Sequence, residues 1–204
     1  MMVAHKTLLG ALSVAITVAA YLIYIWQTAK KEGVQPHPFS WFLWGLLTAV
    51  AYFVQRSLGA GPGSWVTGLA AAMCIFIGVL TFLRYTWRFA WFDWFSLGTG
   101  LLVFGFYLLA RDPAQSVLLA TITDVIGYGP TIKKGWVEPR KDSATCFALH
   151  SVKFIPSLLA LESYSLATWL YPIALFAANG SVAVLLVVRR RYTGGDYIRR
   201  LAGP

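Results

Sequence analysis

What most constrains this chain is the recurrence of long apolar runs, each close to the ~20 residues that a helix needs to cross a bilayer. Such runs occupy residues 7–27, 40–55, 65–83, 89–110, 116–132, 144–161 and 166–188, and too little chain lies between them for a soluble domain. An all-α membrane protein with seven transmembrane helices is predicted, the second and fifth being short. Composition agrees, since 58% of the 204 residues are hydrophobic and 12% charged, whereas soluble domains carry about 25% charged residues. The net charge of +9 comes from short basic clusters between apolar runs. That is the pattern of loops facing an anionic leaflet, so lipids are expected partners and nucleic acid is not. The first run lacks a small-residue cleavage site and is expected to persist in the mature protein.

Assigning the loops alternately to two sides separates the basic residues. One side collects Lys30, Lys31, Arg84, Arg88, Lys133, Lys134, Arg140, Lys141, Arg189, Arg190, Arg191, Arg199 and Arg200; the other has Lys6, Arg56 and Arg111. Thirteen against three places the N-terminus outside and the C-terminus in the cytoplasm. An odd number of spans follows from that placement.

The chain also repeats itself. Residues 17–40, TVAAYLIYIWQTAKKEGVQPHPFS, align with 121–143, TITDVIGYGPTIKKGWVEPRKDS, with one residue deleted in the loop. Thr17 meets Thr121, Tyr24 meets Tyr128, and PHPFS meets PRKDS; further on, Ser64-Trp65 matches Thr168-Trp169 at a similar offset. A fixed offset is the mark of an internal duplication. The spans then divide into a first three-helix bundle (7–85), a linker helix (86–112), a second bundle (113–191) and a basic cytoplasmic tail (192–204). Because three is odd, the single linker restores the direction of the second bundle, making the repeats parallel.

A 3+1+3 layout with Trp26-Gln27 and Pro130-Thr131 at aligned inner ends, each pair keeping one letter of a Pro-Gln signature, resembles the PQ-loop superfamily that includes the SWEET and SemiSWEET sugar transporters. The segment from Pro36 to Trp44, P-H-x-F-S-W-x-x-W in pattern, is also similar to one in a group of uncharacterised bacterial membrane proteins. The resemblance implies a multi-pass protein of the bacterial cytoplasmic membrane, two triple-helix bundles that rock about a substrate route, and an asparagine on the third helix of a unit contacting substrate. Asn179 takes that place in the second unit; around Cys74 and Ile75 the first unit has no amide.

Charged residues within spans each need a reason, because one at a helix centre costs about 2.5–3.5 kcal/mol on insertion scales. Asp124 and Lys153 lie at equal depth on consecutive antiparallel spans, so an ion pair between them is expected. Helical spacing extends two polar stripes: Thr121, Asp124, Tyr128 and Thr131 on the fifth span, and Ser143, Cys146, His150, Lys153 and Ser157 on the sixth. The aligned positions of the first copy, Ala20, Leu47 and Val50, are apolar, while Tyr24, Gln27, Trp44, Thr48, Tyr52 and Gln55 offer aromatic and weakly polar faces. Asp124, Lys153, His150, Asn179, Tyr128, Tyr24, Gln27 and Trp44 are thus the candidates for substrate binding or proton handling. For the charged pair a purely structural role, fixing helix register, stays open. Pro130, Pro156 and Pro172 are candidate hinges, and Trp41, Trp65, Trp91 and Trp169 are expected as interfacial anchors.

Cys74 and Cys146 both fall inside apolar runs, which supports neither a disulfide framework nor a metal site, and no cofactor is expected. No nucleophile–base pair or phosphate loop is present in the sequence, so an enzyme is not expected. A small-molecule transporter working by alternating access is the leading reading, with the Asp124, Lys153 and His150 cluster as a route for proton coupling. A pH-sensitive membrane receptor or sorting protein on the same fold is the alternative. A retinal protein is disfavoured because retinal pigments place the lysine on the last helix. The sequence leaves a homo-oligomer open.

Overall fold

A computed structural model describes residues 2–29, 38–89, 91–110 and 112–201. Every regular element among them is helical, the form that lets an apolar chain satisfy its backbone groups without water. The α-helices are α1 (Met2–Ala29), α2 (Pro38–Ser57), α3 (Trp65–Arg84), α4 (Trp91–Ala110), α5 (Pro113–Gly127), α6 (Gly129–Val137), α7 (Ala144–Val152), α8 (Phe154–Leu159) and α9 (Leu166–Leu201). Five of them, α1 to α4 and α9, contain stretches long and apolar enough to cross a membrane. The protein is therefore membrane-embedded.

The other two expected spans are each broken. The fifth becomes α5 and α6, interrupted at Tyr128, and the sixth becomes α7 and α8, interrupted at Lys153. Each break lies two or three residues before a proline, Pro130 or Pro156. A proline supplies no N–H to the carbonyl four residues back, here those of Ile126 and Val152. The third candidate hinge behaves differently. Pro172 lies inside α9 without interrupting it, because the carbonyl it leaves open, that of Thr168, accepts a hydrogen bond from Gln55 Nε2 of α2 at 2.8 Å. Side-chain caps set two starts: Asp112 accepts from Gln115 N at 3.0 Å and Ser143 from Cys146 N at 3.3 Å. The expected C-terminal tail is helical as far as Leu201. Lys30, Lys31, Arg111 and residues 36–37 of the PHPFS motif lie outside the described residues.

Packing follows one order twice. In the first half α3 lies against both α1 and α2; in the second, α9 lies against both α5–α6 and α7–α8. Between halves, α1 meets α7 and α8, while α2 meets α5 and α9. The helix α4 covers α2 and α5, where Val103 joins Leu43, Leu47, Val50 and Ala120 in one apolar cluster.

The two ends differ in how the halves are joined. At the end carrying Gly61 and Leu161, hydrogen bonds run between halves: Lys6 Nζ to Leu161 O at 2.6 Å, Glu162 N to Ala60 O at 3.1 Å and Ser157 Oγ to Gly63 O at 2.8 Å. Gly63 permits this approach, since a Cβ there would lie 2.8 Å from both Leu161 N and Ser157 O. At the end carrying Lys134, the bonds between halves among the described residues are weak sulfur contacts, from Cys146 Sγ to the Ala20 carbonyl at 3.7 Å and to Gln27 Oε1 at 3.8 Å, and the stronger side-chain bonds stay within a half. Arg84 and Tyr85 reach the Ala29 and Thr28 carbonyls, and Arg190 reaches those of Pro139 and Asp142.

Candidate functional site

Between the halves lies a cavity of about 180 Å³, room for several waters or one small organic molecule. It runs from Asp124, His150 and Lys153, close to the two helix breaks, to Ser40 in the first turn of α2, Thr131 and Lys134 in α6, and Asp142 just before α7. The first half contributes rings, Tyr21 and Tyr24 from α1 and Trp41 and Trp44 from α2. The second contributes the charges.

Asp124 is 1% exposed and Lys153 3%. Asp124 Oδ2 accepts the hydroxyl of Tyr171 on α9, and that hydroxyl lies 2.8 Å from Thr48 Oγ1 on α2. Asp124 Oδ1 is buried and has no hydrogen-bond partner; the same holds for Trp44 Nε1. Lys153 Nζ lies 3.1 Å from His150 Nδ1 and 5.4 and 5.0 Å from the ring centres of Tyr21 and Phe154. The Tyr21 ring meets His150 edge-on at 4.6 Å.

Among the described residues no ion pair joins Asp124 to Lys153, which corrects the expected contact. Equal depth on consecutive spans places two side chains together only if those spans touch, and here α9 is packed between them. Each charge therefore meets a group other than its opposite.

Of the eight residues singled out from sequence, Asp124, Lys153, His150, Asn179, Tyr128, Tyr24 and Trp44 line this one cavity. Gln27 is outside the lining and meets Cys146 Sγ at 3.8 Å. Asn179 spends its Nδ2 on the Leu175 carbonyl one turn back, at 2.7 Å. The polar stripes divide by position. Cys146, His150 and Lys153 face the cavity, as do Asp124, Tyr128 and Thr131. Ser143 caps α7, Ser157 bonds across to Gly63, and Thr121 turns back to the Val117 carbonyl at 2.6 Å.

Trp41 is a further correction. Placed near a span end, it reads as an interfacial anchor, but it is 6% exposed, packs edge-on against Trp44 and lines the cavity. Trp91, 77% exposed, keeps an anchor's exposure. Three residues at or beside the cavity are not among the sequence candidates: Tyr21, Trp41 and Tyr171. The first two had a signal: Tyr21 with Tyr24, and Trp41 with Trp44, stand three residues apart and share a helix face with the residues already chosen. Tyr171, beside Pro172 in a strongly apolar helix, had none.

Outside the spans, burial pushes the Asp142 carboxyl above the usual range, opposed by the charge of Lys134, the Ser143 N–H and the charge of Arg190. Its Oδ1 accepts that Ser143 N–H at 2.9 Å. Among the described residues no group of His, Cys, Asp and Glu is placed to hold a metal ion, and both cysteines are free. Comparison with known proteins returns no matching family model, no matching curated protein and no matching solved structure.

Proposed function

We propose that the chain is a small-molecule membrane transporter of the PQ-loop or SWEET type, built as two parallel three-helix units joined by α4 and working by alternating access. The observation that carries this reading is the cavity between halves, lined by buried Asp124, His150 and Lys153. Intramembrane charges turned to a cavity mark substrate or ion routes. The twofold packing order, a third helix between the first two in each half, supports the repeat. In this reading α5 with α6, and α7 with α8, are the fifth and sixth spans; Pro113–Val137 would reach ~35 Å at 1.5 Å per residue, enough for a hydrocarbon core of about 30 Å. Breaks at that depth are tolerated because they line a cavity within the protein.

The positive-inside pattern makes the Lys134 end cytoplasmic. The cavity then opens inward, and the hydrogen bonds at Lys6, Ala60, Gly63 and Glu162 close the outer side. Alternating access requires these to part while the inner ends of α1–α2 and α6–α7 close.

The test is reconstitution. Compounds that raise the melting temperature of the purified protein, as a ligand of the folded state must, are offered radiolabelled to proteoliposomes. Uptake by the wild type, absent for Asp124→Asn, is the expected result. Saturable binding with no flux would reject transport in favour of a receptor.

A further inference from the structure

We propose that the cavity binds a small zwitterion, a molecule bearing one amine and one acidic group, with the amine against Asp124 and the acid against Lys153. This gives the transporter reading its substrate class and rests on it for taking the cavity as a binding site.

Two buried charges of opposite sign line one cavity and do not touch. Direct pairing is the usual way to offset the burial of both, and α9 prevents it. Each charge has capacity left over. Tyr171 has a single hydroxyl hydrogen, and it goes to Asp124 Oδ2, so the Thr48 hydroxyl must donate to Tyr171. Both hydroxyls therefore point toward the carboxylate and fix one oxygen, leaving Oδ1, which has no partner, for a donor from the cavity. Lys153 directs one N–H at His150 Nδ1; its other near neighbours are the rings of Tyr21 and Phe154. Among the described residues no acceptor takes its remaining hydrogens.

The two groups flank α9 and both line the one cavity. A ligand with an amine alone would leave Lys153 uncompensated, and one with an acid alone would leave Asp124 so. A neutral polyol would answer the hydrogen bonds and neither charge. Around these groups the rings of Tyr21, Tyr24, Trp41, Trp44 and Tyr128 favour an apolar or aromatic body and attract an ammonium group. A volume of about 180 Å³ has room for a molecule of amino-acid size.

The experiment uses the full chain purified in detergent. Proteinogenic amino acids and ω-amino acids from β-alanine to aminohexanoate are screened by thermal shift, and the strongest stabiliser is compared by calorimetry with its methyl ester and its N-acetyl derivative. The zwitterion is expected to bind at least about thirtyfold more tightly than either derivative, the usual consequence of removing one partner of a buried charge contact. Asp124→Asn should remove the preference over the N-acetyl compound, and Lys153→Met the preference over the ester. The wild-type comparison stands even if a variant does not fold. Stabilisation by no zwitterion at millimolar concentration, or equal binding of a derivative, overturns the proposal and leaves water as the occupant. A zwitterion that binds and is not moved in proteoliposomes rejects transport but keeps the ligand class. Flux of another compound class with no zwitterion binding does the reverse.

Discussion

The two halves share a packing order and differ inside. In the first, α1 and α2 run unbroken, and the positions aligned with His150 and Lys153 are Leu47 and Val50, both fully buried against Val103 of α4 and Ala120 of α5. In the second, both corresponding helices break where they meet the cavity, at Tyr128 and at Lys153. The difference has a physical logic. A broken helix leaves backbone carbonyls without donors and a buried charge raises cost further, so both are tolerated only where a cavity or a polar partner receives them. In the first half Leu47 and Val50 face α4 and α5 instead of the cavity, so that option is absent at those positions. One half thus serves as an apolar frame with an aromatic wall, and the other carries the polar chemistry.

Neutralising the second half should produce the largest effect. Asp124→Asn is expected to cost about 2–4 kcal/mol in ligand binding, read by calorimetry, with the elution profile and the ligand-free melting curve little changed. Next in size is a change to the frame. Leu47→Ala opens a void among fully buried neighbours and should cost about 2–3 kcal/mol of stability, while affinity per folded molecule stays within about twofold of wild type. If Leu47→Ala abolished binding and Asp124→Asn spared it, the division between frame and chemistry would be wrong.

The link between halves at Pro172 gives a smaller and more specific effect. Gln55→Leu leaves the Thr168 carbonyl without its donor and should cost about 1 kcal/mol, the scale of interhelical hydrogen bonds in membranes. Pro172→Ala returns an N–H to the same carbonyl. In that background Gln55→Leu should therefore cost much less. Equal costs in both backgrounds would mean that Gln55 acts by packing rather than by replacing the bond the proline removes.

These contrasts show which parts of the molecule were legible in the sequence. Helices of spanning length follow from hydropathy, because the bilayer fixes their length. The stripes that reach the cavity follow from helical spacing, which is why Asp124, Tyr128, His150 and Lys153 could be grouped correctly. Which helices touch could not be read the same way. Asp124 and Lys153 match in depth, yet α9 separates them, and nothing in residues 113–161 encodes that a later helix will insert. The role of Tyr171 was hidden for the same reason, since its partners lie 47 and 123 residues away. Prolines were visible but their consequences were not: Pro130 and Pro156 accompany breaks, whereas Pro172 is bridged by a glutamine on another helix.

The smallest expected effect lies where the two aligned sequence segments differ, at Phe39 and Asp142. Phe39 stacks on Phe89 with ring centres 4.2 Å apart and planes within 6°, while Asp142 sits in a largely buried polar corner with Ser143, Lys134 and Arg190. Burial raises the Asp142 carboxyl above its ordinary range, so the folded chain holds that proton more tightly than the unfolded chain does. Stability from this group is then fullest at acidic pH, and it declines as pH rises from the ordinary carboxylate range through the raised value. Asp142→Asn keeps a side-chain oxygen for the Ser143 N–H and removes the titration, so melting temperatures measured from acidic to neutral pH should show a shallower decline than wild type. The change should be smaller than that at Gln55, because Lys134 and Arg190 already offset part of the burial. A variant that instead loses stability at neutral pH and is unchanged at acidic pH would show that the two cations outweigh burial, making Asp142 a net-favourable anchor for the second half with no counterpart at Phe39.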